Sequence, residues 1–229
     1  MATTCMKLNM MDLSGDSSSF EQYLESFSAN NVGLIKISIA GPEYDAMGGE
    51  DEPEHVPEHR IKTIFREISA LPNLREIKID PAYYSEDGFL APSRVCWLLS
   101  SKECKIEKLG IKNLEVDSDS DVEALALALK GCPSIEALCI DQIVIGYRDV
   151  KTLLPLMEVI AQQPNLTKLR LLFDAFGDEE ETSRYVIESL PVLKRGAHLN
   201  DVELTTRNGS RDGNPEISNC SNHDLYADL

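Results

Sequence analysis

The sequence lacks any long apolar segment and any closely spaced cysteine pair. Its first twenty residues have no continuous apolar core of the kind found in a signal peptide. No stretch approaches the roughly 18 apolar residues that a membrane helix needs. The six cysteines form no C-x-x-C pair, which disfavours a zinc ribbon or a thioredoxin-like site. We therefore expect a reduced, intracellular setting, cytoplasmic or nuclear.

Positive charge and aromatic residues are also scarce. The 22 lysines and arginines are outnumbered by 39 aspartates and glutamates, so the net charge is −17. Such a chain repels nucleic-acid phosphates and anionic membrane surfaces, and we expect it to bind neither. Aromatic residues make up only 6% of the chain, and Trp97 is the single tryptophan, so the core should be mostly aliphatic.

One pattern recurs along the chain, an L-x-x-L-x-L arrangement with aliphatic residues at all three positions. Its five clear copies begin at Leu74, Ile106, Ile135, Leu166 and Leu199. The spacings between these starts are 32, 29, 31 and 33 residues. A nearly constant period of this size is typical of a repeat array.

Weaker copies precede these five. The preferred register of the first of them has its aliphatic positions at Val32, Ile35 and Ile37. A register shifted by two residues also fits, and its positions are Leu34, Ile37 and Ile39. A further strand is predicted at Met6, Leu8 and Met10, where it would begin the stack.

The segments between the copies have helical periodicity. In RIKTIFREISAL, for example, Ile61, Ile64, Phe65 and Ile68 share one face. A strand and a helix in each repeat predict an α/β solenoid with parallel strands on the inner face and helices on the outer face of a curved arc. We predict an N-terminal capping strand and helix over 1–29 and the repeat array over 30–205.

Two segments depart from the pattern. Residues 42–57 are acidic and rich in proline and glycine, which favours an exposed loop within the array. Residues 206–229 lose the repeat altogether and are predicted to form a flexible polar tail.

The repeated pattern resembles that of leucine-rich-repeat proteins, nearest to the ribonuclease-inhibitor-like class, with degenerate repeats. The resemblance covers roughly residues 30–205 and includes Cys104 and Cys132, which precede the aliphatic positions of their copies. Family members usually have asparagine or cysteine three residues after the last aliphatic position, where this chain has, for example, Leu114 and Ile143. The resemblance implies a solenoid whose inner, strand-lined face binds other proteins.

Cationic side chains lie between the aliphatic positions in most copies. We predict that they form a basic stripe on the inner face and bind a protein partner with an acidic surface. The partner-binding residues of this prediction are Lys78, Lys108, Lys112, Lys168 and Arg170. The alternative is that they are merely solvated strand residues.

Two short motifs suggest metal sites but fit them poorly. His55, Glu58 and His59 match H-x-x-E-H, an inverted zinc-protease motif, although Pro57 would have to lie inside the helical turn. The better interpretation is a helix start with Glu58 near its N-terminus. The segment 117–121 begins like a calcium loop but lacks the required glycine and glutamate, so we expect an acidic turn that caps a helix, with Asp121 as the cap. Ser118 and Ser120 in this turn are candidate phosphorylation sites.

These observations predict a non-catalytic protein–protein interaction module without metal or cofactor. The alternative is a regulatory subunit, either a ubiquitin-ligase substrate receptor or a small-GTPase regulator, because the resemblance extends to such proteins. A third class, a zinc enzyme using His55 and His59, is the least favoured.

Overall fold

The computed structural model of the chain describes residues 5–9, 17–30, 33–40, 56–80, 90–99, 104–149, 152–175, 179–196 and 198–207. Strands and helices alternate along this part of the chain. They are β1 (Cys5–Asn9), α1 (Ser17–Asn30), β2 (Lys36–Ala40), α2 (Glu58–Ser69), β3 (Glu76–Asp80), α3 (Pro92–Leu98), β4 (Lys108–Ser118), α4 (Asp119–Lys130), β5 (Ala137–Asp149), α5 (Leu154–Gln162), β6 (Lys168–Ala175), α6 (Glu179–Leu193) and β7 (Asp201–Arg207). The fold is therefore α/β.

The seven described strands form a single open parallel sheet whose spatial order equals their order in the chain. The second and third aliphatic positions of the repeats align as two rows across the sheet. One row contains Ile37, Ile77, Leu109, Leu138, Leu169 and Val202, and the other contains Ile39, Ile79, Ile111, Ile140, Leu171 and Leu204. Most of these side chains belong to one continuous core, and each fully buried one contributes roughly 1.5–3 kcal/mol. This arrangement is compatible with a solenoid-like arc.

The preferred register of the copy before Leu74 was wrong by two residues. Leu34, Ile37 and Ile39 are buried, whereas Ile35 is 46% exposed. The run of aliphatic residues in this segment satisfies both registers locally. Pairing of Ile37 with Ile77 and of Ile39 with Ile79 selects the register that starts at Leu34.

The helices bury their apolar faces against the side of the sheet that carries these two aliphatic rows. Consecutive helices contact one another from α1 to α6. Helix α5 begins at Leu154 with Pro155 in its first turn, where a proline is tolerated. Helix α4 ends at Lys130, directly before Gly131.

The cap of α4 is Ser118 and not Asp121, so that prediction was wrong. The Ser118 hydroxyl accepts a hydrogen bond from the Asp121 N–H at 3.3 Å and donates one to Asp121 Oδ2 at 2.8 Å. The helix therefore begins at Asp119, and Asp121 lies in its first turn, where a carboxylate is favoured by the helix dipole.

Strands β4 and β5 continue past the repeat pattern because each contains an irregular residue. Asn113 and Gln142 have positive φ values of 49° and 76°. Beyond them the alternation shifts by one residue, so that Leu114 and Ile143 again point into the core. Gln142 lies at a bulge relative to β6, where the register shifts between Ile140 and Ile143, whereas Asn113 faces Gln142 without a shift in register.

Several predictions fall outside the described residues. The predicted acidic loop lies there except for residues 56 and 57. The predicted tail also lies there except for Thr206 and Arg207, which complete β7. In the part of the chain that the structure describes, no helix is long and apolar enough to cross a membrane.

Candidate partner-binding face

The side of the sheet away from the helices carries polar and small side chains. In β2 and β3 the buried residues alternate with half-buried ones, and in β6 Leu169 and Leu171 are likewise buried between more exposed neighbours. In β4 and β5 the face also contains the buried residues Gly110, Ala137 and Cys139. We call this surface the strand face. It comprises Lys36, Ser38, Glu76, Lys78, Asp80, Lys108, Gly110, Lys112, Ala137, Cys139, Asp141, Lys168, Arg170, Leu172, Asp201, Glu203 and Thr205.

The fold brings the five predicted binding residues together on this face. Lys78 lies on β3, Lys108 and Lys112 on β4, and Lys168 and Arg170 on β6. These strands are next to one another or separated by β5 alone, so all five side chains lie in the middle of the sheet. The lateral register, which the sequence alone does not specify, produces this grouping.

Small residues separate the five cations. Gly110 is paired with Cys139, and Ala137 lies between Lys108 and Lys168 in the register. Ala137 and Cys139 are only 5% and 2% exposed, although neither belongs to the hydrophobic core on the helix side. These three residues form a shallow floor beneath the long cationic side chains, a surface we call the central floor.

Carboxylates on neighbouring strands partly neutralise the cations. Lys112 Nζ lies 2.7 Å from Asp80 Oδ2, Arg170 Nε lies 3.4 Å from Glu203 Oε2, and Lys36 forms an ion pair with Glu76. The predicted basic stripe is thus a ladder of mixed charge, with six cations and five acids on the strand face. Exposed pairs of this kind stabilise a fold only slightly, by about 0–1 kcal/mol each.

The positive charge is concentrated on the three central strands. On their part of the strand face, β4, β5 and β6 carry four cations, Lys108, Lys112, Lys168 and Arg170, against a single acid, Asp141. Within the described part of the chain, neither Lys108 nor Lys168 forms an ion pair. The centre of the face therefore has a local charge of opposite sign to that of the whole chain.

Burial shifts the pKa of two groups on this face. Desolvation lowers the pKa of Lys78, and repulsion by the Lys36 ammonium lowers it further. Burial, followed by the Asp141 carboxylate, raises the pKa of Cys139 to about 11, despite the opposing effects of Arg170 and Lys78. The Cys139 thiol stays protonated at neutral pH and is a poor nucleophile.

The other sequence motifs lie on different elements. Glu58 and His59 begin α2 directly after Pro57, and His55 of the suggested zinc pair lies outside the described residues. Among the described residues, no group of three potential metal-ligating side chains comes together. The acidic turn at 117–121 caps α4 through the hydroxyl of Ser118, which also lies 2.8 Å from that of Ser120.

The sequence interpretation missed a disulfide between Cys104 and Cys132, whose Cα atoms are 5.2 Å apart. It joins the turns that precede β4 and β5, and the Ser134 hydroxyl bonds to the carbonyl oxygens of Cys104 and Ile106 in the same place. The available signal was that the two cysteines lie 28 residues apart, close to one repeat.

No protein-family model matches this chain, and comparison with curated proteins finds no significant match.

Proposed function

We propose that the chain is a leucine-rich-repeat solenoid of the ribonuclease-inhibitor-like class with degenerate repeats, and that it binds a protein partner without catalysing a reaction. The contact surface of this proposal is the strand face, centred on Lys78, Lys108, Lys112, Lys168 and Arg170. The partner would meet a wall of parallel strands that presents side chains in a regular grid.

One observation carries the proposal. The described helices pack on the apolar side of the sheet, and the opposite side keeps charged side chains from six adjacent strands, β2 to β7, in register. A grid of partly exposed charges over small buried residues offers direction and spacing to a partner, which favours specificity. Each repeat contributes the same two or three positions, so the surface can be varied without disturbing the core.

Two leucines provide a matched test of this surface. Leu172 lies on the strand face in β6 and is half-buried, while Leu127 lies on α4 and is 72% exposed. Changing either leucine to glutamate adds the same negative charge and a similar bulk. We expect Leu172→Glu to abolish capture of the partner from cell lysate, because it places a carboxylate among the cations of the strand face, and Leu127→Glu to leave that capture unchanged.

Circular dichroism and the thermal midpoint must first show that both variants fold. Retention of the partner by both variants, or its loss with Leu127→Glu alone, would contradict the assignment of the strand face. The identity of the captured protein then separates a scaffold from a regulatory subunit.

A further inference from the structure

We propose that the occupant of the strand face is an extended acidic segment of a partner protein, lying along β5 over the central floor. The proposal rests on the function proposed above and adds the chemistry of the ligand. One of its carboxylates would contact Lys108 and Lys168, and the carboxylate two residues further along the segment would contact Arg170.

The shape of the face favours a position over β5. The first two residues of this strand on the face are Ala137 and Cys139, whose side chains are short and buried beneath their neighbours. Gly110 extends the same low area toward β3. Longer side chains flank these short residues, so an added strand-like segment would lie over β5 between the cationic side chains of β4 and β6.

The spacing of the cations fits an extended chain. Alternate side chains of an extended segment are about 6.6 Å apart, the same as Lys168 and Arg170 along β6. Lys108 and Lys168 flank Ala137 from the two neighbouring strands, about 4.8 Å to either side. Their flexible four-carbon stems allow both ammonium groups to reach a carboxylate above Ala137.

The charges favour an acid over a base at this position. Lys108 and Lys168 form no ion pair with the described residues, and the central strands carry four cations against Asp141 alone. Asp141, Asp80 and Glu203 lie at the boundary of the area and limit the length of acidic chain that it accepts. The net charge of −17 repels acids over long distances, but at 150 mM salt this repulsion is screened beyond about 8 Å. Contacts at the central floor are then decided by the nearby cations.

The probe is a fluorescein-labelled peptide of twelve residues in which glutamate and serine alternate, and a glutamine–serine peptide is its uncharged control. Binding to the full chain is measured by fluorescence anisotropy at 150 mM sodium chloride. The test variant is Lys108→Gln with Lys168→Gln. Its matched control is Lys130→Gln with Lys194→Gln, which removes the same charge from exposed positions on the helix side.

We expect the glutamate peptide to bind, the glutamine peptide not to bind, and the Lys108/Lys168 variant to bind the glutamate peptide about tenfold more weakly. The Lys130/Lys194 variant should bind as the unchanged chain does. The proposal is overturned by absence of glutamate-peptide binding, by equal binding of the two peptides, or by equal losses in the two variants. If Leu172→Glu still abolishes partner capture in any of those cases, the strand face remains a binding surface and only its acidic occupant is refuted.

Discussion

Removing the bond between Cys104 and Cys132 should lower the free energy of unfolding of the oxidised protein by about 3.6 kcal/mol. The bond closes a segment with a sequence separation of 28 residues, which contains β4 and α4. Without it the unfolded chain regains the conformations that the cross-link forbids, and the loop-entropy relation gives the stated value at 25 °C. For a chain of this size, the melting temperature should fall by roughly 7–14 °C.

The variant best suited to this test is Cys104→Ser. Cys104 is partly exposed, whereas Cys132 is fully buried, and a serine at 132 would add the cost of a buried hydroxyl. Cys96→Ser, which removes a free thiol from α3, is the matched control. Urea unfolding curves are recorded for all three proteins in oxidising buffer and again with a thiol reductant.

The difference in stability between Cys104→Ser and the unchanged chain should depend on redox state. In oxidising buffer only Cys104→Ser should lose stability, and in reducing buffer it should unfold at nearly the same urea concentration as the reduced unchanged chain. Equal midpoints of the unchanged chain and Cys104→Ser under oxidising conditions would refute the reasoning. A loss that persists after reduction would instead assign the effect to packing of the residue itself.

Two further predictions concern buried ionisable groups. Burial, followed by the Asp141 carboxylate, raises the pKa of Cys139 to about 11, so iodoacetamide at pH 8 should alkylate this thiol roughly a hundredfold more slowly than the exposed Cys5. The labelling rate of each cysteine is measured by mass spectrometry, and equal rates would contradict the prediction. Because the folded pKa exceeds the unfolded value of about 8.5, the thiol's contribution to stability is complete below that pH and disappears as the pH rises through 11. Arg94→Met should leave the melting temperature unchanged or raise it, because the Arg94 side chain is only 9% exposed and its Nη2 lies 3.7 Å from Glu58. Among the described residues, its Nε and Nη1 have no hydrogen-bond partner. A fall of more than about 4 °C in differential scanning calorimetry would reveal a pairing stronger than this geometry allows.

The alternation of strands and helices could be predicted because each element has its own short-range periodicity of aliphatic residues. Positions two residues apart mark a strand, and positions three and four apart mark a helix face, as at Ile61, Ile64 and Ile68 in α2. The aliphatic positions are buried in the copies that start at Leu74, Ile106, Ile135 and Leu166. In the last copy, on β7 at the edge of the described sheet, Val202 is 40% exposed. Errors arose where two local solutions were equally good, as in the registers containing Ile35 and Leu34.

The left-handed residues in β4 and β5 could not be predicted from short-range periodicity. Asn113 and Gln142 adopt left-handed backbone conformations that asparagine tolerates and glutamine seldom adopts, so neither residue type signals its position. Their conformations are imposed by neighbouring strands, since pairing continues on both sides of them. The prediction of the α4 cap was wrong because both Ser118 and Asp121 have side chains that can cap a helix.

The sequence by itself determined the repeat period, the alternation of strand and helix, and the residues that form the core, because each depends on neighbours within one turn or one strand. It also identified the five cations of the candidate site. Only the tertiary structure decided which cations face which acids, as in Lys112 with Asp80 and Arg170 with Glu203. The joining of Cys104 to Cys132 was likewise a tertiary outcome. These pairs lie about one repeat apart, and they meet because the stacking of copies sets the lateral register, which no local pattern encodes.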